Sequence, residues 1–220
     1  MTVKDLIKLT QKKHRREAGL CIVEGDKLVT EHKDKAVATF TRASTPHIAS
    51  CDGQLSQKDF AAVTDLENSR GILAVVPIPK PSQVTFPYVV LDGIQDPGNV
   101  GTILRTCRAF GYKTIFCINC ADVWSQKVIR SAMGMQFGLN IIEGFDGIPQ
   151  GSELYIADMG KQVQNRPSGK FGIVFGNEGN GVSAEMRKLP HKIVSIPMKS
   201  DVESLNVAVA CGIILHEWSQ

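Results

Sequence analysis

A chain of 220 residues, 43% hydrophobic and 21% charged, can bury one substantial core or a medium core with a small appendage, and it is too apolar to be disordered. Lys and Arg number 25 against 22 Asp and Glu, so the net charge of +3 leans mildly toward anionic partners without marking a basic tail. Charges interrupt the N-terminal Met-Thr-Val-Lys-Asp-Leu-Ile-Lys, which excludes a secretory apolar core and leads us to expect a cytoplasmic protein. The longest apolar run, Val207 to Leu215, falls far short of the roughly 20 residues a membrane span needs. Six cysteines are too sparse for a disulfide scaffold. Cys117 and Cys120 form a lone CxxC with no second pair, and His47, His191 and His216 lack ligand spacing, so no metal is assigned.

An amphipathic helix is predicted over Val3 to Arg16, with Val3, Leu6, Ile7 and Leu9 on its apolar side and Gly19 as its stop. Its end is the basic run Lys12-Lys13-His14-Arg15-Arg16. That run fits two readings: cations complementing a helix C-terminus, or a surface that neutralises RNA phosphates. A strand over Leu20 to Val23, a helix over Asp26 to His32, and strands at Thr39-Phe40 and Gly71 to Val76 complete a small α/β module over residues 1–76. Pro77, Pro79, Pro81 and Pro87 then make residues 77–87 a stiff linker.

Residues 88–220 alternate more plainly. Strands are predicted at Tyr88 to Asp92, Lys113 to Ile118, Leu154 to Asp158, Gly172 to Phe175 and Ile193 to Ile196. Between and after them come helices over Asn99 to Phe110, Ser125 to Met133, Ser183 to Leu189 and Asn206 to Trp218. Short apolar strands alternating with helices imply an α/β fold with a mostly parallel sheet covered on both faces, and ligands in such sheets bind beyond the carboxyl ends of the strands.

Three loops lie at such ends. In the first, Asp92 to Arg105, Asn99 stands where a helix cap belongs and Val100, Ile103, Leu104 and Cys107 form a buried stripe. Arg105 and Arg108 fall off that stripe, as an anion site at a helix start or as two solvated arginines. The second loop, Phe175-Gly-Asn-Glu-Gly-Asn-Gly-Val-Ser, lets backbone approach a ligand closely; its glycine order is not that of a dinucleotide site and no Walker lysine follows. Glu178 within it is a candidate acceptor. The third, Ile196 to Val207, is a polar excursion between buried elements, ending at two candidate caps, Ser204 and Asn206.

Together these loops resemble the three motifs of the SpoU (TrmH-type) RNA 2′-O-ribose methyltransferases of the SPOUT superfamily. The strings are Asn99-Val-Gly-Thr-Ile-Leu-Arg105, Phe175-Gly-Asn-Glu-Gly-Asn-Gly181, and Ser195-Ile-Pro-Met198 with Ser204-Leu-Asn-Val207, in the family's order. Arg15-Arg16-Glu-Ala-Gly-Leu-Cys-Ile-Val-Glu-Gly25 is similar, more loosely, to the family's L30e-like RNA-binding module. The resemblance implies a C-terminal trefoil knot and S-adenosyl-L-methionine bound by Gly176, Asn177, Gly181, Ile196, Pro197, Met198 and Leu205. It also implies methyl transfer to a ribose hydroxyl by Arg105, helped by Asn99, Glu178, Ser204 and Asn206. A guanidinium is a poor literal base, so Arg105 is expected to clamp phosphate and stabilise alkoxide charge. Lys12, Lys13, Arg15, Arg16 and Arg108 are the expected RNA contacts, ribosomal RNA the favoured substrate, and a homodimer the expected state, with the apolar last helix at the interface. A transfer-RNA methyltransferase and a catalytically silent RNA-binding protein on the same scaffold are the alternatives.

Overall fold

A computed structural model describes residues 1–220 except 46–50, 67–68, 159–164, 200 and 220; His47 therefore lies outside the described residues. The chain runs α1 (Val3–Leu9), α2 (Lys12–Ala18), β1 (Leu20–Glu24), α3 (Asp26–His32), β2 (Ala38–Arg42), β3 (Gly53–Leu55), α4 (Gln57–Val63) and β4 (Ile72–Pro77). It continues through β5 (Tyr88–Asp92), α5 (Pro97–Ala109), β6 (Thr114–Ile118), α6 (Gln126–Ser131), β7 (Asn140–Glu143), β8 (Ser152–Ala157), β9 (Lys170–Gly176), α7 (Ala184–Arg187), β10 (Lys192–Val194) and α8 (Val207–Ser219).

Two compact units result, one of residues 1–79 with 122–134, the other of residues 80–121 with 135–220. The first holds a mixed sheet in the order β1-β4-β2-β3, antiparallel except for β2 with β3. Leu6, Ile22, Phe60, Leu73 and Val75 form its core. The predicted N-terminal helix is two helices. Thr2 and Asp5 close a capping box on α1, and Thr10 ends it by donating its backbone amide to Ile7 O. Helix α2 restarts at Lys12 and ends at Gly19, whose φ of 64° gives the left-handed cap that glycine supplies without strain.

Residues 122–134 join this unit although they follow the proline-rich stretch in the chain. Ser125 caps α6, whose Val128 and Ile129 are fully buried. Arg15 pins the start of the segment. It is only 5% exposed, donates from Nε to Asp122 Oδ2 at 3.1 Å and from Nη1 to Leu9 O at 2.7 Å, and pairs through Nη2 with the same Asp122 oxygen. Arg130 pairs with Asp65.

The second unit is built on a parallel sheet in the order β10-β8-β9-β5-β6-β7. Tyr88 of β5 lies in register with Gly172 of β9, and its ring occupies the space a side chain there would fill: an added Cβ would sit 2.0 Å from Cε2. One face of the sheet packs Tyr88, Phe116 and Phe145 edge to face; on the other, Trp218 of α8 meets Tyr155 and Phe171. Chain connections leave β5 toward β6 on one side and β9 toward β10 on the other, so the sheet switches direction between the adjacent β5 and β9. That is where a parallel sheet opens a crevice at its carboxyl edge. Among the described residues no helix is long and apolar enough to cross a membrane.

Candidate active site

The loop after β5 starts helix α5 earlier than the sequence pattern indicates. Pro97 supplies the first-turn φ, and Asp96, not Asn99, is the cap, its Oδ1 accepting from Asn99 N at 2.8 Å. The Asn99 side-chain amide, released from capping, reaches across to Glu178, donating from Nδ2 to Oε1 at 2.7 Å. Asn206 in turn donates from Nδ2 to Asn99 Oδ1 at 3.1 Å. Its own Oδ1 accepts from the amides of Ala208 at 2.9 Å and Val209 at 3.3 Å. Asn206 is therefore the cap of α8. The orientation of every amide in this relay is set by the free N–H groups at the start of α8, and the relay ends on the Glu178 carboxylate.

The loop after β9 is tied back on itself. Asn177 and Gly181 exchange two backbone hydrogen bonds of 2.9 Å, and Gly181 turns the chain at a φ of 67°. Asn177 commits both ends of its side-chain amide: Nδ2 donates to Gly93 O at 2.8 Å, while Oδ1 accepts from Gly179 N and Asn180 N at 2.9 and 3.0 Å. Asn177 thus clasps the loops after β5 and β9 together. Asp92, buried at the end of β5, adds a second clasp by accepting from Ser183 N at 2.7 Å. Gly176 is required by close approach; a Cβ there would fall 2.4 Å from Gly181 C and Val182 N.

A cavity of about 180 Å³ opens at this edge. Its floor is Phe175 and Gly176 with Ala157 and Val194 from the neighbouring strand ends; Ile196, Met198 and Leu205 of the third loop wall it, and Val207, Ala210 and Ile214 line it from one stripe of α8. Asn177, Glu178, Ser204 and Asp158 are its polar members, Asp158 being held by Arg187 at 2.6 Å. Apolar walls, backbone at close range and a few placed polar groups suit a heterocycle joined to a thioether, so the residues present fit S-adenosylmethionine.

The structure thus gathers Gly176, Asn177, Gly181, Ile196, Met198, Leu205, Glu178 and Ser204 around one cavity, with Asn99 and Asn206 bonded to its rim. Pro197 stands between two lining residues without lining the cavity itself. Arg105 is exposed on α5 and makes no ion pair among the described residues, which leaves its guanidinium available to a substrate. Arg108 lies against Gly138, whose added Cβ would come 3.1 Å from its Nε. Lys12, Lys13 and Arg16 are exposed on α2, and Arg15 is not: a guanidinium buried on Asp122 cannot serve as the surface contact the basic run suggests. On α8, the apolar Val209 is 51% exposed. Sequence reasoning passed over Asp92 and Asp158, each a carboxylate closing an apolar strand run, a signal legible in the chain. Among the described residues no three His, Cys, Asp or Glu side chains converge as a metal site.

Fold and cavity together define an α/β protein whose parallel sheet opens an apolar cavity at the carboxyl ends of its strands. The chain belongs to the SpoU rRNA methylase family, whose model matches residues 87–216, while residues 1–74 match the MRM3-like substrate binding domain. It is 32% identical to the 23S rRNA (guanosine(2553)-2′-O)-methyltransferase RlmP of Bacillus subtilis over 97% of this chain and 94% of that one. An AdoMet-bound rRNA methyltransferase from Sinorhizobium meliloti superposes with a TM-score of 0.80 at 27% identity, covering 98% of this chain and 93% of its own. The SpoU methyltransferase AviRb of Streptomyces viridochromogenes, 21% identical, shares the fold with a TM-score of 0.83 over 99% of this chain and 96% of its own.

Proposed function

We propose that the protein transfers a methyl group from S-adenosylmethionine to a ribose 2′-hydroxyl of RNA, with ribosomal RNA as substrate. The observation that carries this reading is the relay from α8 through Asn206 and Asn99 to Glu178, set on the rim of a heterocycle-sized cavity. The cofactor, when bound, supplies an electrophilic methyl on a sulfonium. This chain's residues then have three tasks. Gly176, Ile196, Met198 and Leu205 hold the apolar part of the cofactor and exclude water. The relay fixes Glu178 as an acceptor at the rim, and Ser204 offers a hydroxyl beside it. Arg105 clamps the RNA phosphate and stabilises the charge that develops as the 2′-hydroxyl loses its proton.

In the same reading, residues 1–76 bind RNA through Lys12, Lys13 and Arg16, residues 77–87 link, and residues 88–220 form the knotted methyltransferase domain. The chain works as a cytoplasmic homodimer. What supports the dimer is Val209, an exposed apolar side chain on the apolar helix α8. The relative's name favours ribosomal over transfer RNA, and the intact relay argues against a silent RNA-binding protein.

The test is transfer of labelled methyl from S-adenosylmethionine to unmodified total RNA, followed by digestion to nucleosides. Label should appear in a 2′-O-methyl nucleoside of ribosomal RNA. Arg105→Ala should lower the rate about 10²–10³-fold while leaving S-adenosylhomocysteine binding intact. Methylation of a base, or an Arg105→Ala enzyme working at the parent rate, would overturn the assignment.

A further inference from the structure

The loop after β5 turns at Gly93, whose φ is 75°, and the carbonyl oxygen of that residue collects bonds from elsewhere at the strand ends. It accepts from Asn177 Nδ2, in the loop after β9, at 2.8 Å and from Gln95 Nε2 at 3.3 Å. The same Gln95 nitrogen donates to Asn119 O in the loop after β6, a residue held at a φ of 48°. Backbone bonds run alongside: Gly93 N donates to Ile118 O at 2.8 Å and Ala121 N to Ile94 O at 2.9 Å. Three strand-end loops thus meet at one carbonyl. A few residues further on, Asp96 caps α5 and Asn99 enters the relay to Glu178.

The two ends of the Asn177 amide face different partners. Its Oδ1 commits both lone pairs, to Gly179 N at 2.9 Å and Asn180 N at 3.0 Å, and those two donors identify it as the oxygen. With the backbone pair to Gly181, these bonds give the glycine-rich loop its own shape. Only Nδ2 leaves the loop, for Gly93 O. The oxygen therefore shapes one wall of the cavity, and the nitrogen sets where that wall stands relative to the start of α5. Glu178 is the next residue along, and it accepts from Asn99 Nδ2 at 2.7 Å across the same gap between loops. The Asn177 bond fixes the span that the Asn99 bond must bridge.

We infer that Asn177 and Gln95 are positioning residues for the methyl-transfer step, acting together through Gly93 O. Asn177 lines the cavity but serves the cofactor only by shaping the loop. The inference rests on the RNA-methylating reading above and adds to it the two side chains that keep Glu178 in register with Asn99 and with the helix that carries Arg105.

An isosteric change separates the two tasks. Asn177→Asp keeps an oxygen for Gly179 N and Asn180 N and removes the N–H that Gly93 O receives. With S-adenosylmethionine saturating and an unmodified transcript of large-subunit ribosomal RNA as substrate, kcat should fall about 10–100-fold, because a donor is replaced by an opposed acceptor. The KM for RNA, and S-adenosylhomocysteine affinity by titration calorimetry, should stay within about threefold of the parent values. Asn177→Ala removes both ends of the amide and should lower that affinity as well as kcat. Gln95→Ala, on an exposed side chain and without added charge, should lower kcat about 3–10-fold with the same split. Combined with Asn177→Asp, its effect should fall short of the product of the two, since both act on one carbonyl. If S-adenosylhomocysteine affinity falls as far as kcat in Asn177→Asp, Asn177 is a cofactor ligand or a strut. Factors that multiply in the double variant would remove the shared pivot. A parent protein that methylates no faster than Asn177→Asp overturns the positioning role alone; a parent that never methylates the transcript overturns the activity, and the role with it.

Discussion

Replacing Arg15 by alanine removes more than a surface charge. The guanidinium holds Asp122 through two N–H groups and closes α1 onto α2 through Leu9 O, all within a buried setting. Asp122 Oδ1 keeps its bond from Trp124 N at 3.1 Å, but Oδ2 would be left without its cation in a place water scarcely reaches. Breaking such a pair from one side costs about 3–5 kcal/mol, because the abandoned charge stays buried. In a chain of this size that is a fall of roughly 6–20 °C in melting temperature, read by calorimetry or circular dichroism. Arg15→Met combined with Asp122→Leu should recover most of the loss, since no charge is then stranded. RNA binding by the folded fraction should keep its salt slope in Arg15→Ala, whereas neutralising Lys12, Lys13 and Arg16 together should lower the slope by about two to three. A melting temperature unchanged in Arg15→Ala, or a slope that falls with Arg15 alone, would refute the reasoning and return Arg15 to the RNA surface.

Other consequences are as specific. Gly176→Ala drives a methyl group into the backbone of Gly181 and Val182, so the loop must open; S-adenosylhomocysteine binding, followed by calorimetric titration, should be lost, and retained affinity would show that the loop does not close the cavity as described. Asn99→Ala cuts the relay in the middle, and kcat should fall about 10–100-fold with little change in cofactor affinity, a loss of about 1.4–2.7 kcal/mol; an equal fall on cofactor binding would make Asn99 a structural strut. Burial raises the Cys21 thiol to about 12 and also raises Cys211, Tyr88 and Tyr112. The native chain therefore keeps protons that the unfolded chain releases above about pH 9, and stability should fall as pH climbs from there. Denaturant midpoints at about pH 8 and about pH 10.5 measure it, and a midpoint that rises would reverse the sign. Cys21 should likewise resist thiol reagents until the protein unfolds.

The strands of the second unit were legible because each is a short apolar run closed by a turn, and their carboxyl ends are where the cavity opens. The residues around the cavity were legible only through likeness to three family motifs; the loops read residue by residue reached no further than an anionic or nucleotide-like ligand. What escaped did so for physical reasons. Strand β7 alternates weakly and pairs only with β6, so its apolar signal is faint. The break between α1 and α2 depends on Thr10 ending one helix, and helical periodicity reads straight across it. Asn99 looked like a cap because its chemistry suits one; Pro97 and Asp96 set the start a turn earlier, and only three dimensions reveal what the freed amide does. Charge type likewise says nothing of burial, so Arg15 could not be separated from Arg16 until its partner, 107 positions away, was seen.

The membership of residues 122–134 in the first unit bears on how the chain is made and on what can be exchanged between relatives. During synthesis the N-terminal 79 residues emerge without α6 and Asp122, so β1 waits with a bare flank and Arg15 without its counterion until β5, α5 and β6 have followed. The first unit matures only when more than half of the chain is out. A graft that cuts within the prolines would strand the same groups. An N-terminal module moved onto another methyltransferase should fold only if this segment travels with it.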